Sequence, residues 1–266
     1  EERGTRVRET KFYASYNTNY TTKGENEFPQ GNKAFVYCYN SGSLPTYSIP
    51  VAGTPKEAVA GVSGNLTTAG SVILPKGLYD FYAVSLNNTS TPEITFSSGL
   101  SQPLVNGKDY LWAKQSSVSE GSVVSFSFSH RAVGVELRIN AGEGVDDINI
   151  TSVKITPPLP GVNSVMDLQT GVIGMSTIKG SLTPVSLSGG KYFYIMLPAE
   201  SLSMDVEVSL NAVIGGTAVT GRRYRATIPQ QMYSGGILYA VNLTVNANTM
   251  SFNGSVIQDW TTQTIG

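Results

Sequence analysis

Between Ser122 and Ile139 the chain reads SVVSFSFSHRAVGVELRI, and its apolar residues change phase halfway. Val124, Phe126 and Phe128 fall on even positions, whereas Val133, Val135, Leu137 and Ile139 fall on odd ones. Side chains along a strand alternate faces with period two, so a flip of phase means that the chain changes the side it buries. The segment is also long for a single strand. At roughly 3.3 Å per residue it would run about 59 Å, where strands ordinarily hold about three to ten residues. We read two strands meeting at His130-Arg131, the first completing one core and the second opening another. A β-bulge within one long bent strand also shifts the phase by one residue, and stands as the alternative.

No 3.6-residue apolar periodicity persists over three turns anywhere in the chain. Short alternating runs bounded by Gly, Pro, Asn and Ser recur instead, the pattern of an all-β sandwich or barrel. Lys11–Tyr16 and Ala34–Tyr39 read as early strands, and the Gly-, Pro- and Ser-rich stretch from Asn40 to Gly70 as a long surface loop or as a strand or two with turns. Leu78–Leu86 (LYDFYAVSL) is filled on both faces, which suits a central strand. Beyond the phase flip, Ala141–Val145 is a turn joining strand 132–139 to strand 148–156. Sequence neighbours usually pair, so these two are expected to share a sheet. That pairing places the boundary between two domains, 1–130 and 131–266, at His130-Arg131; the Pro-rich Pro157–Gly161 is the second choice. Each half then holds about seven strands, and the expected fold is all-β: two seven-stranded sandwiches placed end to end.

Composition narrows the function. The chain has 266 residues, enough for one large or two ordinary domains. Its 18 basic and 19 acidic residues give a net charge of −1, which offers no field for nucleic acid or an acidic membrane. Cys38 is the single cysteine; inside an apolar strand pattern it reads as a buried thiol that forms no internal disulfide. No run of 18 apolar residues is present, and the start at Glu1 without a signal peptide is what a trimmed, exported protein would show.

The residues of common chemistries are missing or scattered. His130 is the only histidine, no G-x-S-x-G elbow accompanies it, and packing or a hydrogen bond at the junction is its expected role. The Gly-rich SLSGGK ending at Lys191 lacks the upstream Gly and the following Ser/Thr of a phosphate-binding loop. The acidic turn of Glu143, Asp146 and Asp147 has no calcium-loop register. Hence no catalytic, cofactor-binding or metal-binding residue is assigned, and no cofactor is expected. The fourteen tyrosines invite sugar stacking, but most alternate within strands and read more simply as core.

Several pieces occur in a telling order: GTR at Gly4–Arg6, LPKGLYDFYAVS at Leu74–Ser85, DYLWAKQSSV at Asp109–Val118, then VSFSFSHRAVGVELRI, INITSVKIT, DLQTG at Asp167–Gly171, and VIQDW at Val256–Trp260. In that order they resemble the fimbrillin family, the pilins and pilin-like surface proteins of Bacteroidetes type V pili. The strand carrying Phe128 and His130 is the most specific piece, although Ala132 lies one residue from where the family pattern puts its alanine.

The resemblance implies a tandem pair of transthyretin-like sandwiches, exported as a lipoprotein and displayed at the outer membrane in a fimbria. It implies partners as well: other fimbrial subunits, a host or bacterial surface receptor, and the membrane only through a lipid anchor on the precursor. In the family an Arg-specific protease removes an N-terminal strand, and a strand from a neighbouring subunit fills the vacated groove. Carried onto this sequence, Arg6 or Arg8 would be the cleavage position and Val256, Ile257, Trp260 and Ile265 would lie on the donor strand. Those donor residues hold no single alternating phase, so a tip or accessory subunit stands beside a shaft pilin. Two other classes compete. A surface glycan-binding lipoprotein of sandwich fold would show exposed, co-planar Tyr or Trp. A hydrolase would show a cleft with two carboxylates, or an acid beside His130.

Overall fold

The computed structural model describes residues 8–17, 27–178, 180, 182–188 and 192–260. Among them every element of any length is a strand. The first nine are β1 (Lys11–Tyr16), β2 (Lys33–Asn40), β3 (Lys56–Ala60), β4 (Asn65–Thr68), β5 (Leu78–Ser85), β6 (Phe96–Ser97), β7 (Leu100–Ser101), β8 (Leu111–Ser119) and β9 (Val123–His130). All but the short β6–β7 hairpin form one closed barrel in the order β1-β4-β3-β2-β5-β8-β9. The ring closes where β1 runs parallel to β9, Lys11 to Tyr16 lying opposite Val123 to Phe128. On its other side β1 meets β4 only at Phe12 and Tyr13. A barrel removes the exposed sheet edges that an open sandwich leaves.

The first half is therefore a closed barrel rather than an open seven-stranded sandwich. Parallel closure between strands more than a hundred residues apart leaves no turn in the sequence to announce it. β3 and β4 also arise within the Gly- and Pro-rich 40–70 stretch, which settles its two readings in favour of strands with turns.

Inside the barrel, Phe12, Ala14 and Tyr16 of β1 meet Val36 and Cys38 of β2, Phe81 and Ala83 of β5, and Val124, Phe126 and Phe128 of β9. The alternate residues of β5, Tyr82 and Val84, point out of the barrel into a second cluster. β5 is thus buried on both faces, as its sequence predicts. Its one acidic residue, Asp80, is buried and held by the Gly42 and Ser117 N–H groups at 3.0 and 2.8 Å.

The remaining strands are β10 (Val133–Ala141), β11 (Val145–Thr156), β12 (Val185–Leu187), β13 (Phe193–Met196), β14 (Ala199–Ile214), β15 (Thr217–Tyr233), β16 (Ile237–Val245) and β17 (Met250–Asp259). They form two four-stranded sheets, β13-β10-β16-β17 and β12-β11-β14-β15. Val135, Leu137 and Val241 from the first sheet share one core with Val153, Val206 and Val208 from the second. β14 shows why it folds so: Leu202, Met204, Val206, Val208, Leu210 and Ala212 are buried at every second position, the period of a half-buried strand.

Further expectations are corrected. Among the described residues the second half holds eight strands against the expected seven or so, Val185–Leu187 forming a short edge. β10 and β11 do not pair either. β10 takes β13 and, in parallel, β16 as neighbours, while β11 takes β12 and β14. The Gly142–Gly144 turn carries the chain across the core from one sheet to the other instead of folding it back within a sheet. Met166–Met175 is a folded loop held by the Met166–Ile173 bridge. Together with Leu104 and Tyr110 its Met166, Leu168 and Ile173 fill the cluster between the barrel and the two sheets.

Candidate assembly surface at the strand ends

The phase flip resolves into the end of β9 and the start of β10, which lie in different sheets and line different cores. His130 ends β9, buried to 4% exposure, with its Nδ1 2.7 Å from Asp109 Oδ1. A carboxylate accepts, so Nδ1 carries the proton and the tautomer is set. The other Asp109 oxygen accepts from Asn87 Nδ2 at 2.8 Å. Asn87 Oδ1 in turn accepts from the Tyr16 hydroxyl at 2.5 Å and from Asn32 Nδ2 at 3.2 Å. Asn87 holds this position with φ +54°, a left-handed conformation that Asn tolerates better than most residues.

Arg131 follows in the link between β9 and β10. Its guanidinium lies 4.5 Å over the Trp112 ring, and burial lowers its pKa from the ordinary arginine value. Below the junction the turn before β16 comes close: a Cβ on Gly235 would sit 2.6 Å from the Arg131 carbonyl oxygen. Trp112 Nε1 donates to the Leu168 carbonyl at 2.7 Å, so the indole ties β8 to the 166–173 loop.

The predicted assembly residues fall in three places. Arg6 lies outside the described residues. Arg8 is exposed and lies ahead of β1, separated from it by Glu9 and Thr10, so a cut after it leaves β1 attached to the body of the chain. No arginine occurs between Arg8 and Arg131, and an Arg-specific protease therefore has no site from which to excise β1. At the other end, β17 is the edge strand of its sheet, paired through Ile237–Val245 of β16. Val256 and Ile257 stand 47% and 62% exposed on opposite faces of it. Trp260, just past β17, turns inward to 4% exposure; Ile265 lies outside the described residues.

Sequence reasoning missed Asp109 and Tyr16 as neighbours of His130, and Asn87 as the link between those two. A buried polar group demands a partner, but nothing in the sequence says which strand end supplies it. The His130–Asp109 pair is the arrangement named above as favouring a hydrolase. Both groups are buried and the imidazole face is covered by the Trp260 indole, ring centroids 4.0 Å apart and planes 7° apart. A surface cavity of about 480 Å³ reaches Asp109, Asn87 and Trp260, and His130 is not among its described lining residues. Among the described residues no three His, Cys, Asp or Glu side chains cluster in a way that could hold a metal. Of the aromatic residues expected to mark a glycan site, Tyr47 is 85% exposed on its own loop, while Trp112 and Trp260 are engaged inside.

A barrel and a two-sheet sandwich, with the apolar cluster of Leu104, Tyr110, Met166 and Leu168 packed between them, define an all-β protein. The fimbrillin-like family matches residues 18–260, and the chain belongs to that family. No curated protein sequence matches it. Among solved structures it is similar to a Bacteroides uniformis protein provisionally assigned to cell adhesion, at 16% identity over 96% of this chain and 97% of that one, with a TM-score of 0.68. A fimbrial protein from Bacteroides vulgatus aligns at 13% identity over 96% and 99%, TM-score 0.63. The tip fimbrial protein Mfa3 from Porphyromonas gingivalis, with a C-terminal truncation, aligns at 11% identity over 96% and 100%, TM-score 0.52. At these identities the likeness is one of fold.

Proposed function

We propose that the chain is a non-enzymatic structural or adhesive subunit of a cell-surface fimbria, and that it polymerises by strand addition. The observation that carries the reading is β1. This strand plugs Phe12, Ala14 and Tyr16 into the barrel; away from β9 it pairs with β4 at Phe12 and Tyr13 and is tied beyond that by single contacts, Thr10 N–H to the Val72 carbonyl and Phe28 N–H to the Ala14 carbonyl, rather than by one continuous strand. Displacing it bares one flank of β9 and an apolar slot, which an extended strand from a neighbour completes with the same backbone bonds and alternate side chains. The edge strand β17, with Val256, Ile257 and Trp260 and the chain on to Ile265, is the donor. Cleavage after Arg6 or Arg8 acts by trimming the lead-in to β1; the strand itself is displaced, not cut away.

In this reading the two bodies are 1–130 and 131–266. They are a tandem of transthyretin-like sandwiches, the first rolled shut by β1, and His130-Arg131 is their joint. Supporting the division, the barrel core runs from Phe12 to Phe128 and the sandwich core from Val133 to Met250. Family membership and structural neighbours of fimbrial or adhesive description support the setting: other fimbrial subunits as partners, a surface receptor, and outer-membrane attachment through a lipid on the precursor. Limited digestion with an Arg-specific protease followed by size-exclusion chromatography tests it. A clip at Arg6 or Arg8 followed by oligomers is the expected result; a clipped protein that stays monomeric with β1 in place contradicts it.

A further inference from the structure

Four of the last five described residues, Val256 to Asp259, are exposed, although they pair with β16 along one edge. Among the described residues neither face of this stretch is covered, and its own ties are the backbone pairs with β16. The fifth residue, Trp260, is the exception. It is buried, its backbone N–H donates to the Gly236 carbonyl at 2.8 Å, and its ring lies face to face on His130 and edge-on to Phe193. Among the described residues its buried Nε1–H has no hydrogen-bond partner, so packing and stacking rather than a polar anchor hold the indole there. The end of the last strand is therefore gripped through Trp260, by its bond to Gly236, its edge contact with Phe193 and, closest of the ring contacts, its stack on His130.

His130 has a second aromatic neighbour. Tyr16, the final residue of β1, lies parallel to it within 7° at a centroid distance of 6.2 Å. A hydrogen-bonded route runs alongside: Tyr16 to Asn87, Asn87 to Asp109, Asp109 to His130. The first and last strands, some 240 residues apart in sequence, thus end on the same imidazole.

We infer that His130 is a positioning residue that couples the two strands: the end of β17 is released more readily when β1 leaves its slot, and β1 is loosened when Trp260 is undocked. A ring that stacks on two neighbours and is oriented by a buried carboxylate has one well-packed placement, and removing either neighbour opens space on it. Coupling of this kind is reciprocal, since each strand biases the same shared element. The coupling rests on the geometry of the single subunit. Its use, keeping the donor strand at home until the acceptor slot is vacated, rests on the assembly reading above.

Amide hydrogen exchange on the uncut monomer tests the coupling without any assembly step. In Trp260→Leu, exchange should quicken by about two- to tenfold both at 256–259 and in β1, as loss of an aromatic pair implies. The β11–β14 amides should keep their protection and show that the fold persists. Trp260→Phe should restore most of the protection in β1. In the converse variant, Tyr16→Leu, exchange at 256–259 should quicken by a similar factor. If Trp260→Leu loosens 256–259 while β1 is unchanged, or if Tyr16→Leu leaves 256–259 unchanged, the coupling is overturned even where clipped protein still polymerises. Coupled exchange in a protein that never polymerises would leave this inference standing and remove only its use in assembly.

Discussion

Phe12 on the barrel-closing strand lies parallel to Phe126 on its neighbour, ring centroids 6.1 Å apart and planes within 2°. Phe12 also meets the edge of Phe81 across the barrel, so one side chain of β1 joins two other strands. Phe12→Ala is expected to destabilise the protein by about 3–5 kcal/mol, the transfer and cavity terms of a buried aromatic. Tyr13→Ala, exposed on the same strand, should shift stability by only about 0.5 kcal/mol. Urea unfolding of the two variants side by side measures the difference.

Gly171 sits with φ +72° beneath the Trp112 indole, and a Cβ there would come within 2.4 Å of the ring. Gly171→Ala therefore meets both a strained backbone and a clash, and should cost about 1–3 kcal/mol. A shift in tryptophan fluorescence should accompany the loss, because Trp112 must give up its bond to Leu168. An unchanged melting temperature and spectrum would show that the loop moves aside freely.

What the sequence made legible was local. The switch from Phe126 and Phe128 to Val133 and Val135 marks a change of core because side-chain alternation is a property of neighbouring residues. The span of β1 and the two-sided filling of β5 were legible for the same reason. What stayed hidden depends on which distant segments meet. The β1–β9 closure, the separation of β10 from β11 into facing sheets, and the partnership of Asp109 with His130 all join residues whose spacing carries no turn signal or period. The assembly residues divide likewise. Arg8 stood as a candidate cleavage position only through the family resemblance, and that β1 lies wholly beyond it became clear only once the strand's place in the barrel was known.

Asp109 holds the junction by accepting from both His130 and Asn87. Asp109→Leu leaves two buried donors without an acceptor, at about 1–3 kcal/mol each. Asp109→Asn keeps the size of the side chain and one carbonyl oxygen, and should lose less. Thermal unfolding of the pair separates the polar role from mere volume; equal losses would contradict it.

Alkaline pH should unfold the protein before its backbone is otherwise stressed. Burial, with the nearby Asp80 charge, raises the Cys38 thiol from 9.0 to about 12. Burial likewise raises the Tyr82, Tyr194 and Tyr233 phenols from 10.0 to about 12. Below about pH 9 these groups are protonated in both states and contribute no slope. Between about 9 and 12 the folded chain keeps protons that the unfolded chain has lost, so stability falls as pH rises. The melting temperature should be flat with respect to these groups up to pH 9 and drop beyond it. A thiol reagent at pH 8 should label Cys38 only as fast as the barrel opens.

The claim that β1 is the replaceable strand is tested most directly by locking it. Tyr13 of β1 and Asn65 of β4 are antiparallel partners and both exposed, so Tyr13→Cys with Asn65→Cys, in a Cys38→Ser background, places a disulfide across the β1–β4 seam. After clipping at Arg6 or Arg8, the oxidised protein should remain monomeric by size-exclusion chromatography, and reduction should restore polymerisation. Polymers that form equally well with the disulfide closed would contradict the account.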